Sequence, residues 1–149
     1  MIKGLSFLVI VLGIVSIVIG GIFLWQAFAK NDVLVTAMRQ ENITLGIESD
    51  ALAAGEVIDT AKEAEIAGDT VRQHRHNIAP TYGDLLGGAP YDPTNVQQLT
   101  YAQALNLENY LYLAVLGFGV TQIAMGAGAF MVITGIALGV TGGLLLRKS

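Results

Sequence analysis

Cysteine is absent from the chain, and that gap alone removes disulfides, thiolate metal centres, iron–sulfur clusters, thioether-linked haem and lipid modification of a cysteine. Charge is scarce. Asp, Glu, Lys and Arg make up 13% of the residues, against about a quarter in ordinary soluble domains. The charge that is present avoids two long stretches: Lys3 and Lys30 enclose 26 uncharged residues, and Glu108 and Arg147 enclose 38. Transporters and proton pumps place ionisable groups at membrane depth, so these stretches argue against such activities. Histidine is nearly missing too, with only His74 and His76. Two positions apart on a helix they point about 200° away from each other, so they cannot share a metal, and both are far in sequence from either apolar run. No phosphate-binding loop, nucleophile elbow, zincin helix or EF-hand spacing occurs. The cluster Asp59, Glu63, Glu65 and Asp69 is interrupted by Lys62 and alternates faces, which reads as a solvated acidic surface. These absences predict no catalytic residue, no metal ligand and no cofactor.

What is abundant is apolar. Hydrophobic residues are 53% of the chain, and they gather at its two ends. As helices rising about 1.5 Å per residue, the two uncharged runs would extend roughly 39 and 57 Å. A hydrocarbon core is about 30 Å thick, so either run can span it. The core from Leu5 to Leu24 is longer than the apolar part of a cleaved signal peptide, typically about 7–15 residues. It reads as a signal anchor, closed on its outer side by Trp25 and Phe28.

Charge gives the spans a direction. Lys3, Arg147 and Lys148 flank them without an accompanying acid, whereas Lys30 to Glu108 holds five basic and twelve acidic residues. Cytoplasmic flanks are enriched in Lys and Arg. The expected topology therefore has both termini cytoplasmic and residues 30–109 extracytoplasmic. The acidic middle argues against nucleic acid as a partner and against its own docking on anionic lipid.

The expected fold is mainly α: two transmembrane helices forming an antiparallel hairpin, with a small, mostly helical extracytoplasmic cap between them. Residues 1–29 form the anchor, 30–109 the cap, and 110–149 the Gly-rich second span with its basic tail. Small residues recur every seven positions in both spans, at Ser6, Gly13, Gly20 and Ala27 and again at Thr121, Gly128, Gly135 and Gly142. Such stripes let helix backbones approach closely in lipid, so these eight residues are the expected packing positions. Gly139 and Gly143 lie off that stripe and, with Gln122, are candidates for facing a partner.

Within the cap, Asp50 to Asn77 reads as a helix, with Thr60 and Glu63 spaced for a capping box and an apolar stripe of Val57, Ile58, Ala61, Ala64 and Val71. Acids dominate its start, and Arg72, Arg75 and the histidines its end, matching the helix dipole. Residues 41–45 (Glu41 to Leu45) could form one short strand or an extended turn. Asn42-Ile43-Thr44 is a formal glycosylation sequon. Residues 79–95 contain all three prolines and read as an irregular loop, with Tyr82, Asp84 and Tyr91 as its candidate contacts. Asp92-Pro93-Thr94 with Gln97 reads as the next helix start. No breaker follows until Gly117, so one helix can run from about Thr94 through the second span.

Several segments together resemble a family of small two-span bacterial membrane proteins often labelled aromatic ring-opening dioxygenase LigA. The similarity is carried by the anchor, Glu41 to Leu45, the alanine-rich helix around 61–76, Thr81-Tyr82-Gly83-Asp84-Leu85, and Leu113 to Val120 opening the second span. The stretch Gly87 to Asn95 departs from it by extra turn residues. A ring-opening dioxygenase needs iron held by histidines and carboxylates, and no such set is present. The resemblance thus implies an architecture and no catalytic residue.

Paired small-residue stripes, uncharged spans and a motif-free acidic cap point to a non-catalytic membrane accessory or structural subunit. Its partners would be membrane lipid and other membrane-protein subunits. The competing reading is a self-associating homo-oligomer with a lipid or small-ligand role. An outer-face enzyme is the least supported.

Overall fold

The computed structural model describes residues 2–44 and 55–148. Four helices follow in order: α1 (Ile2–Glu41), α2 (Ala61–Ile78), α3 (Tyr82–Leu86) and α4 (Val96–Arg147). Among the described residues there is no strand. A single antiparallel bridge joins Thr44 to Val57, and the Ile58 N–H donates to Ile43 O at 3.0 Å. Both α1 and α4 are long and apolar enough to cross a membrane. Neither contains proline, so nothing interrupts their backbone hydrogen bonds.

The helix starts have identifiable causes. Thr60 caps α2 in a reciprocal capping box with Glu63. The part of the expected helix from Gly55 to Thr60 is not helical, and Asp50 to Ala54 lies outside the described residues, as does Leu45. The loop expected over 79–95 contains one helical turn, α3. Its N-cap is Thr81, whose Oγ1 accepts from the Asp84 N–H, and Gly87 closes it in the left-handed region at φ 56. Only glycine takes that conformation without a steric cost. α4 begins at Val96, close to the expected start near Thr94. Asp92 is occupied by Thr94, accepting from its N–H at 2.9 Å and its hydroxyl at 2.7 Å. Asn95 instead caps α4, its Oδ1 accepting from the N–H groups of Gln97 and Gln98.

The chain divides into two compact units, one comprising Met1–Val33 with Val120–Ser149, the other Leu34–Gly119. In the first unit the approach is backbone to backbone. A Cβ placed on Gly13 would lie 2.7 Å from Gly135 O, one on Gly20 2.7 Å from Gly128 O, and one on Gly142 3.0 Å from Ser6 O. Each seven-residue step along α1 is thus matched by a seven-residue step back along α4. Ser16 Oγ donates to Met131 O at 2.7 Å, and Thr121 Oγ1 to Asn31 Oδ1 at 3.3 Å. The opposite faces are apolar and open, with Leu5, Phe7, Trp25, Ile123, Phe130 and Ile133 among the exposed large side chains.

The second unit has a conventional apolar core. Met38, Ile58, Ala64, Ala67, Val71, Leu111, Ala114 and Phe118 are buried together. The first two turns of the buried face of α2 carry only Ala64, Ala67 and Gly68, so it lies close to α4 there. Gly68 makes that possible, because a Cβ there would stand 3.3 Å from the Tyr112 ring. Arg39 pairs with Asp59 across the segment leading into α2.

Candidate functional site

The most distinctive polar feature is a charge buried on the apolar stripe of α2. Ala64, Gly68, Val71 and Arg75 succeed one another at helical spacing on its buried face. Arg75 therefore enters the second unit where an aliphatic residue would be expected. Its place in the last turn of α2 suits the helix dipole, yet it is only 8% exposed. Its Nε donates to Glu108 Oε2 at 2.7 Å, Nη1 bonds the Tyr101 hydroxyl, and Nη2 meets His76 Nε2 at 3.2 Å. The guanidinium also lies over the Tyr101 ring, 4.9 Å from its centroid. Tyr82, from α3, sets its ring 6.0 Å from that of Tyr101.

Electrostatically the cluster is closed. The hydrogen bond from Arg75 to Glu108 raises the guanidinium pKa, outweighing the lowering effect of burial, with the nearby Glu108 charge and Tyr101 adding to it. Among the described residues every buried side-chain nitrogen and oxygen has a hydrogen-bond partner. Tyr101 is fully buried, so the cluster offers little reactive surface to solvent. Its chemistry is mutual neutralisation across two helices.

A second, exposed set lies beside it. Asp69 accepts from Arg72 at 2.8 Å and from the Tyr112 hydroxyl at 2.5 Å, with Arg72 over the Tyr112 ring. His74 and His76 are exposed, and Glu63, Glu65 and Asp69 are not gathered about them. Among the described residues no group of three or more His, Asp or Glu could hold a metal. An open cavity of about 300 Å³ is lined by Glu41, Ile43, Gln103, Asn106, Leu107 and Tyr110.

The residues singled out from sequence fall as follows. Ser6, Gly13, Gly20, Ala27, Thr121, Gly128, Gly135 and Gly142 are all buried in the first unit. Gly139 and Gly143 have nothing within 4 Å of a notional Cβ, and Gln122 is exposed. Tyr82 reaches Tyr101, whereas Asp84 is engaged by Thr81, whose hydroxyl donates to it at 2.7 Å. Tyr91 is exposed. Sequence reasoning passed over Arg75, Tyr101 and Glu108. The available signal was their phase: Arg75 continues the Ala64–Val71 stripe, and Tyr101 and Glu108 are seven residues apart, in phase with Leu111. No family model, curated protein or solved structure matches the chain.

Proposed function

We propose that the protein is a non-catalytic integral membrane accessory or structural subunit. In this reading α1 and α4 form an antiparallel transmembrane hairpin, both termini are cytoplasmic and residues 30–109 are extracytoplasmic. The observation that carries the proposal is the division of surfaces in the first unit. Small residues close one face of each helix, and large apolar side chains stay open on the others. The close-packed stretch from Ser6 to Ala27 rises about 32 Å at 1.5 Å per residue, matching a hydrocarbon core of about 30 Å. The architecture implied by the resemblance to small two-span proteins belongs to the same proposal.

A role in packing follows from what the helices offer. In lipid, burying apolar surface gives no drive for association, so helices associate through close contact and hydrogen bonds. The stripe supplies such contact within the chain, and exposed Gly143, with the open Cβ side of half-buried Gly139, offers it to a further helix. That same observation supports the second reading, a homo-oligomer built through this face.

Extraction of the tagged chain from its native membrane in a mild detergent, followed by mass measurement of the intact particle, tests the proposal. Foreign subunits held in stoichiometric amount support the accessory role. A particle made only of this chain in several copies supports the second reading, and a lone monomer contradicts both.

A further inference from the structure

The register of the first unit brings together three charges that lie at opposite ends of the sequence. Gly20 meets Gly128, Gly13 meets Gly135 and Ser6 meets Gly142. Continued less than one turn further, that register sets Lys3 level with Leu145, so that Arg147 and Lys148 follow two and three residues along the same end of α4. All three are exposed, and among the described residues no acidic one shares this end of the unit. Asp32, the acid nearest in this unit's sequence, lies beyond Ala27 at the other end. The helix dipoles do not offset the charge, because the positive end of α1 and the negative end of α4 coincide here and cancel at about half a charge each. Three formal positive charges remain.

Their surroundings are apolar. Leu5, Phe7, Leu8, Leu144 and Leu146 are exposed within about a turn of the cations. A patch with cations at its rim and open leucine and phenylalanine directly beneath matches one kind of partner, an anionic phospholipid, whose phosphate faces the cations while its chains lie along the apolar side chains. We infer that Lys3, Arg147 and Lys148 form a headgroup site selecting anionic phospholipid at this end of the helix pair. The inference rests on the proposed membrane insertion and goes beyond it by naming the lipid class and the residues that choose it.

The test uses the full chain, reconstituted without residual detergent into vesicles of phosphatidylcholine alone or mixed with phosphatidylglycerol. Lipids retained on the protein are then counted by native mass spectrometry. The wild type should retain phosphatidylglycerol well above its share of the mixture. The Lys3→Gln, Arg147→Gln, Lys148→Gln triple variant should lose that enrichment, each cation accounting for up to about fivefold. Lys30→Gln, at the opposite end, should leave it unchanged. Equal retention of the two lipids by the wild type, or equal loss in Lys30→Gln, overturns the site while insertion stands. Failure of the wild type to enter either vesicle overturns the membrane reading itself.

Discussion

Arg75 and Glu108 meet through a 2.7 Å hydrogen bond, with 9% of each side chain exposed. A buried ion pair contributes little over a well-packed apolar pair, because desolvation consumes the Coulombic gain; removing one partner, however, strands the other. Glu108→Gln should therefore destabilise the chain, and Glu108→Ala by about 3–5 kcal/mol. The double variant Arg75→Met, Glu108→Leu should recover most of that loss. Denaturant unfolding in detergent, followed by the helical circular dichroism signal, measures all three. A double variant as unstable as the single ones would show that the pair matters for more than mutual neutralisation.

The glycines of α4 should divide sharply. Gly128→Leu and Gly135→Leu put side chains where a Cβ already stands 2.8 and 2.6 Å from carbonyl oxygens of α1. Each should cost at least about 1–3 kcal/mol through overpacking. Gly143→Ala meets nothing within 4 Å and replaces the weaker helix former, so melting should be unchanged or slightly raised. Equal melting temperatures for all three would refute the close approach.

Asp92 provides a pH prediction outside the long helices' apolar stretches. Its carboxyl is held below the usual range, first by the Thr94 hydroxyl and then by the Thr94 N–H. A folded-state value below the unfolded one means that the contribution to stability is fully present above the unfolded value near pH 3.9. It is lost as pH falls through the folded value. Thr94→Val should move the Asp92 titration upward when followed by carboxyl chemical shifts. An unmoved titration would assign the lowering to some other contact.

Topology can be read from a natural reporter. Asn42 is exposed just past the end of α1, with φ 48, and begins the sequon Asn42-Ile43-Thr44. Translated in the presence of microsomes, the chain should gain one endoglycosidase-sensitive mass increment if residues 30–109 face the lumen, and Thr44→Ala should abolish it. The same increment in Thr44→Ala would mean that the modification lies elsewhere.

Much of the secondary structure was legible because it depends on local chemistry. Thr60 and Glu63 bond each other's backbone within one turn, so their spacing alone announces the capping box. The absence of proline or early glycine after Asn95 leaves nothing to stop α4. The cap of α4 was not read from sequence: Asp92-Pro93-Thr94 marks the start to within a residue or two, but only the hydrogen bonds single out Asn95. The burial of Arg75 was not legible, for a different reason. An arginine near a helix end satisfies the dipole equally well buried or exposed, and only its partner 33 residues away distinguishes the two. The seven-residue recurrence of small residues is written in the chain, but the residue opposite each glycine is not.

The alanine face of α2 has a mechanical consequence. A helix held by leucines loosens gradually, since each side chain can slide and repack as it leaves. Ala64, Ala67 and Gly68 have almost no reach, so a small outward displacement forfeits their contacts all at once. The resistance then falls on Arg75, whose bonds to Glu108 and Tyr101 have a short working distance of their own. The joint between α2 and α4 is therefore brittle: stiff under small displacement, and failing as a unit once that charge pair parts.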